Sequence, residues 1–228
     1  MLEYFERQAA SYDDRSGKGL WRALRERERA ALLELLQPRR GEVLLDIGCG
    51  TGFYSSSLVA DFGLQVSGID SSPAMVAVAN SKNLDARVEK FEDFSGHGDF
   101  DKVLAAGLVE FMPSLDIFFA RSASALKTNG RLVMLAPRAG VAGLVYRWSH
   151  ELQNCSTYIR SASEIEWTAM KHGFSLEKIN NCTPLSRAMS FRYLSAREVV
   201  KDQMSSHFGA IACDLSAPGF LLYAHDFL

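Results

Sequence analysis

LLDIGCGTGFYS, residues 44 to 55, runs an apolar strand straight into glycines at 48, 50 and 52, with Asp46 just before the turn. Val43, Leu44, Leu45 and Ile47 read as a buried strand. The alternating glycines permit a tight strand-to-helix turn whose backbone lies directly against a ligand. A dinucleotide fingerprint, Gly-x-Gly-x-x-Gly, needs glycine or alanine at position 53; this chain has Phe53, too bulky for the helix to close on a pyrophosphate. Asp46 points the same way, because a carboxylate at the mouth of a sheet repels a pyrophosphate and favours a ligand bearing an ammonium group. An amino acid joined to a nucleoside is such a ligand. Asp70, eighteen residues past Gly52, is placed to accept hydrogen bonds from both ribose hydroxyls.

Outward from this turn, strands and helices alternate. Upstream, GLWRALRERERAALLELL puts Leu20, Leu24, Ala31 and Leu35 on one helical face, with Arg and Glu on the other, and Pro38 stops it. Downstream, a helix over Phe53 to Phe62 ends at Gly63, and LQVSGID closes a second strand on Asp70. Ser72 then caps a helix with Pro73 at its first position. A short strand near ARVEKF, a fourth at FDKVLAAG, a helix from Ser114 to Asn129-Gly130 and a fifth strand at GRLVMLAP follow. RAGVAGLVYRWSHELQNCSTYI has no clean period and reads as a lid inserted after the fifth strand. Ser161 and Glu164 form a capping box for a helix ending at Gly173, FSLEKINNC makes a sixth strand and GFLLYAHDF a seventh. The expected fold is α/β, a doubly wound and mostly parallel seven-strand sheet with five parallel strands and a terminal hairpin. A single domain is expected over 1–228: a helical cap at 1–38, a cofactor-binding core at 39–136, the lid at 137–160 and a substrate region at 161–228.

With 228 residues, 47% of them hydrophobic, the chain suits one well-buried domain. A net charge of -2 and a pI near 6.2 give no general attraction to nucleic acid or anionic membrane. The four cysteines lack metal-ligand spacing, so no metal site is expected, and no apolar run reaches the length of a membrane span. A cytoplasmic setting fits, with a monomer or homodimer expected.

Motif, spacing and order together resemble class I S-adenosylmethionine-dependent methyltransferases of the small-molecule type, over residues 40 to 136 and more loosely to the C-terminus. The resemblance implies S-adenosyl-L-methionine as cofactor and S-adenosyl-L-homocysteine as product. It places Asp46 and the loop of Gly48, Cys49, Gly50 and Gly52 around the methionine part, Asp70 at the ribose, and Asp93 with the backbone of Phe94 at the adenine, with Ser71 and Met75 as further cofactor-binding candidates. Tyr12, in an opening segment similar to that of quinone-pathway and tetrapyrrole methyltransferases, is the candidate for closing over the methionine end. Read residue by residue, Asp46 also suits a helix cap, Met75 core packing and Cys49 a small buried space-filler.

Enzymes of this class that methylate amino groups of bases or glutamine carry Asn/Asp-Pro-Pro-Tyr/Phe after the fourth strand, where this chain has AAGLVEFM. A small organic acceptor is therefore expected, with oxygen as the acceptor atom and carbon or nitrogen open. Many small-molecule relatives have a histidine after the glutamate here; this chain has Glu110-Phe111. His150, among Tyr146, Arg147 and Trp148, is the candidate base, followed by Glu110. Trp148, Tyr158, Trp167, Phe191, Tyr193 and Phe208 are candidates for an apolar acceptor pocket or for core; Arg187 and Arg192 would hold an acidic substrate or lie in solvent. The rival readings are an RNA or protein methyltransferase, a nicotinamide-dependent reductase and a silent cofactor-binding module.

Overall fold

The strand ahead of the glycine turn is the centre of the sheet. In this computed structural model, which describes residues 2–195 and Glu198, β1 (Val43–Ile47) pairs in parallel with β2 (Gln65–Asp70) on one side and β4 (Phe100–Ala106) on the other. β3 (Asp85–Val88) lies outside β2, and β5 (Leu126–Pro137) outside β4. β7 (Ser186–Tyr193) runs antiparallel to β5, and β6 (Phe174–Asn180) antiparallel to β7, so the order is β3-β2-β1-β4-β5-β7-β6. Five parallel strands and a hairpin are as expected. Because β2 and β4 leave β1 in opposite directions, the switch point of the sheet falls at the end of β1, where a crevice opens.

Strand alternation sorts the core. Leu45, Ile47, Val103, Met134 and Phe191 face α6 (Leu115–Ala125) and α8 (Ala162–Lys171), burying Phe118, Phe119 and Ile165. Leu44, Leu104, Val133 and Ala188 face α3 (Gly19–Leu36), α4 (Ser55–Phe62) and α5 (Pro73–Ser81). The caps follow the sequence: Ser72 Oγ accepts from Met75 N–H at 3.2 Å and Ser161 Oγ from Glu164 N–H at 3.1 Å. The second half of the capping box is not made, since Glu164 turns to Arg160 at 3.5 Å.

Four expectations change. The inward stripe of α3 is Glu28, Ala31, Leu32, Leu35 and Leu36, while Leu20 and Trp21 of its first turn stand in solvent. α6 ends at Ala125, because Leu126 already pairs with Phe100 and β5 begins there; Asn129, with φ 65°, turns within that strand's first residues. The seventh strand is Ser186–Tyr193; the stretch 219–227 lies outside the described residues, as do His207, Phe208, Cys213 and His225. The aperiodic lid contains a helix, α7 (Val141–Glu151), which turns Tyr146 and His150 inward and leaves Val141, Leu144, Val145 and Trp148 exposed. Its inward face is aromatic and polar, which hides the apolar period. Two short helices, α1 (Leu2–Gln8) and α2 (Tyr12–Ser16), precede α3. Among the described residues no helix is long and apolar enough to cross a membrane.

Candidate active site

The glycine loop is fixed to β2 by backbone bonds: Gly48 and Cys49 N–H donate to Ile69 O at 2.8 and 3.0 Å. The Asp70 carboxylate accepts from Gly50 N–H at 2.8 Å and from Ser72 N–H at 2.9 Å. Burial raises its pKa, and these amides oppose the rise. Gly50 has φ 54°, and a side chain built there meets nothing within 4 Å, so its backbone is open to a ligand. Gly52 has φ 71° and serves packing instead: a Cβ would lie 3.0 Å from Leu84 and 3.2 Å from Ser56 Oγ.

Above this loop lies a cavity. Among the described residues its floor is Gly48, Cys49, Gly50, Ile69, Asp70 and Ser71; Met75, Glu89, Phe91 and Glu92 close one side, and Gly107, Leu108, Phe111 and Met112 the other. Phe5 and Tyr12 reach it from the N-terminal cap. That cap is tied down by charge. Glu6 accepts from Ser72 Oγ–H at 2.6 Å and Ala74 N–H at 3.3 Å, and Asp13 accepts from Thr51 Oγ–H at 2.6 Å while pairing with Lys82. Phe5 meets Phe111 edge to face, with centroids 5.1 Å apart.

Of the residues expected at the cofactor, Gly48, Cys49, Gly50, Asp70, Ser71, Met75 and Tyr12 line this cavity. Asp46 and Gly52 do not. Asp46 is 3% exposed beneath the loop, where it accepts from Ser55 Oγ–H at the start of α4. It thereby joins strand to helix, and burial lifts its pKa to about 7 against the Ser55 bond. Asp93 and Phe94 also lie off the wall. They end and cap a 3-10 turn, Phe91–Asp93, which at three residues per turn aims Phe91 and Glu92 at the cavity, leaving Asp93 in solvent and Phe94 stacked behind Phe91 at 6.3 Å.

His150 and Glu110 stand one layer back, behind Phe111. His150 stacks on Tyr146 at 4.2 Å and touches Phe111 at 5.8 Å and Tyr4 at 5.7 Å. Its Nδ1 faces the Tyr146 carbonyl, which can only accept, at 3.0 Å. Glu110 is 4% exposed; its Oε1 accepts from Tyr146 Oη–H at 3.2 Å and its Oε2 has no hydrogen-bond partner. Burial lifts its pKa to about 7, with its own amide, Tyr146 and Arg25 pulling back. Arg160 holds this turn, donating to the carbonyls of Val109, Met112 and Pro113.

Sequence reading missed a buried network. Arg25 donates to Glu28 at 2.7 Å, to Tyr54 Oη at 3.2 Å and to Tyr12 Oη at 3.4 Å; Glu28 also accepts from Tyr54 Oη–H at 2.8 Å and Ser186 Oγ–H at 2.7 Å. It sets two tyrosines against the cavity. A signal existed: Glu28 precedes Ala31, Leu32 and Leu35 by three, four and seven residues, on the apolar stripe. Phe5 and Glu6 carried no such signal.

The proposed aromatic acceptor wall is elsewhere. Trp148 and Trp167 are each 62% exposed, Phe191 is core, Tyr193 packs on Phe174 and Tyr158 lies under Arg160. The cavity's aromatics are Phe5, Tyr12, Phe53, Tyr54, Phe91 and Phe111. Arg192 is paired with Glu177 at 3.4 Å. Among the described residues no group of three His, Cys, Asp or Glu is arranged to hold a metal ion.

The sequence model of a family described as methyltransferase domain matches residues 20–179. This chain belongs to that family. Among curated methyltransferases it is 28% identical over 156 residues to phosphoethanolamine N-methyltransferase 2 of Caenorhabditis elegans, covering 63% of this chain and 35% of that protein. It is 36% identical over 102 residues to the ubiquinone biosynthesis O-methyltransferase of Xanthomonas euvesicatoria pv. vesicatoria (strain 85-10), covering 41% of this chain and 42% of that one. The methyltransferase match thus spans less than half the length of these relatives. Magnesium protoporphyrin IX methyltransferase from Synechocystis PCC 6803, solved with bound SAH, shares the fold with a TM-score of 0.69 at 18% identity, over 85% of this chain and 97% of that one.

Proposed function

We propose that this chain transfers a methyl group from S-adenosylmethionine to a hydroxyl oxygen of a small organic acceptor. The observation that carries the donor is the Asp70 carboxylate, held by the amides of Gly50 and Ser72 beside a glycine that opens onto the cavity. That carboxylate suits two adjacent ribose hydroxyls; Ile69, Met75 and Phe91 give an apolar wall for a flat base, with Glu89 and Glu92 near its amino edge. When bound, the cofactor supplies an electrophilic methyl on a sulfonium, whose leaving group is neutral. The chain's own task is then chiefly to align donor and acceptor and to keep water out. Phe5 and Tyr12 cover the donor, and Gly107, Leu108 and Phe111 form the wall beside which the acceptor lies.

Oxygen is favoured because a hydroxyl must lose a proton, and Glu110, one layer behind the Gly107 and Phe111 wall with a free Oε2 and a pKa near 7, receives it through one intervening water rather than by direct contact. Tyr146 holds Oε1, and His150 supports Tyr146 from behind. The O-methyltransferase relative agrees with this reading, and the phosphoethanolamine relative keeps nitrogen as the alternative. The test is label transfer from methyl-labelled S-adenosylmethionine to matched phenols and amines. Label in phenols, falling about 100-fold or more in Glu110→Gln, supports the assignment; label confined to amines overturns the choice of oxygen.

A further inference from the structure

Among the described residues, two arginines at the open end of the sheet have no counter-charge. Arg187, the second residue of β7, lies opposite Ala136 of β5, and Arg138 follows β5, its N–H donating to Leu185 O at 2.9 Å. Arg187 shares the strand face of Met189 and Phe191, which belong with Ala136 to the core under α6 and α8. Among the described residues neither side chain makes an ion pair or hydrogen bond, and Arg187 Nε is buried without a partner. Other covered cations nearby are satisfied: Arg131 and Arg192 share Glu177, Lys102 pairs with Glu42, and Arg160 is bound by carbonyls. Burial, and then the charge of Arg138, depress the pKa of Arg187, so the two guanidiniums repel one another, with no carboxylate among the described residues paired to either. The turn that presents them is rigid, since Thr183 Oγ accepts from Leu185 N–H at 3.1 Å and Ser186 N–H at 2.9 Å.

Their place relative to the cavity follows from register. Ala106 of β4 pairs with Leu135, and Ala136 pairs with Arg187, so Gly107 on the cavity wall stands level with Arg187 two strands away. At about 4.8 Å per strand this separates their backbones by about 10 Å. A small acceptor lying along the end of the sheet is long enough to bridge that gap. We infer that the acceptor carries a carboxylate or phosphate group, gripped by Arg138 and Arg187 while its reacting atom lies against the Gly107 wall. Paired guanidinium forks match the planar oxygens of a carboxylate and the tetrahedral ones of a phosphate. The inference rests on the methyltransferase reading for the position of the reacting atom, and on the unpaired arginines for the anion.

The test uses the full chain, first titrated with S-adenosylhomocysteine and then, saturated with it, with benzoate, phenyl phosphate and neutral benzamide. The expected result is binding of one or both anions in preference to benzamide. That affinity should fall about tenfold or more in Arg187→Gln and in Arg138→Gln, with thermal unfolding and S-adenosylhomocysteine affinity unchanged. The stronger of the two anions tells carboxylate from phosphate. Equal binding of benzamide, or anion affinity untouched in both variants, overturns the inference. If S-adenosylhomocysteine itself does not bind, the donor reading fails; repeating the anion titrations without it still decides the arginine site.

Discussion

Replacing Glu110 with glutamine keeps the shape of a buried side chain and removes its ionisation. Burial lifts this carboxyl from 4.5 to about 7, so the folded chain holds its proton more tightly than the unfolded chain does. Between those two values the unfolded chain has released the proton and the folded chain has not. The contribution of Glu110 to wild-type stability therefore falls as pH rises across that window, by about 3 kcal/mol at about 1.4 kcal/mol per tenfold, and is level above it. The glutamine variant lacks this decline. Its carbonyl still accepts from Tyr146, while its amide N–H₂ sits where Oε2 has no partner, a pH-independent cost of about 1–3 kcal/mol. Asp46, also near 7, titrates in both proteins and cancels in the difference. Chemical denaturation at pH 4 to 8 should show Glu110→Gln gaining on wild type by about 3 kcal/mol from the acid to the alkaline end, a relative change of about 6–12 °C in Tm. Parallel stability curves would refute the raised pKa and, with it, Glu110 as a proton acceptor at neutral pH.

Three further outcomes follow. Asp70→Ala should lower S-adenosylhomocysteine affinity by about 100-fold or more, through lost charge-assisted bonds to the ribose, in a protein that still unfolds cooperatively; retained affinity would displace the ribose from this carboxylate. Gly52→Val forces a β-branched residue to φ 71° with its Cβ 3.0 Å from Leu84, and should cost about 2–5 kcal/mol in denaturation. Glu28→Ala strands Arg25 and removes the acceptor of Tyr54 and Ser186, so a loss of about 3 kcal/mol is expected; a loss under about 1 kcal/mol would show the network to be solvated.

The sheet and the floor of the cavity were legible because their signals are local. The glycine turn, Asp70 at a strand end and the Ser72-Pro73 cap each state a backbone need within a few residues. What failed depended on contacts between distant segments. The cavity wall takes Phe91 and Glu92 in place of Asp93 and Phe94 because a 3-10 turn rotates the residues about its axis, which a count along the chain does not reveal. Ser186–Tyr193 hid as a strand because Ser186, Arg187 and Ser190 interrupt its apolar run, two of them answering to Glu28 and to the open end of the sheet. α7 was aperiodic because its inward face is Tyr146 and His150, which meet Glu110 and Phe111. The cap was partly visible at Tyr12, whereas Phe5 and Glu6 acquire meaning only when α1 lies over Ser72 and Phe111.

Calorimetric titration of the full chain with S-adenosylhomocysteine, with NADH as control, tests the central claim most directly. Saturable binding of one S-adenosylhomocysteine per chain, with no heat from NADH, is the predicted result. A folded sample that binds neither, or NADH alone, would contradict it.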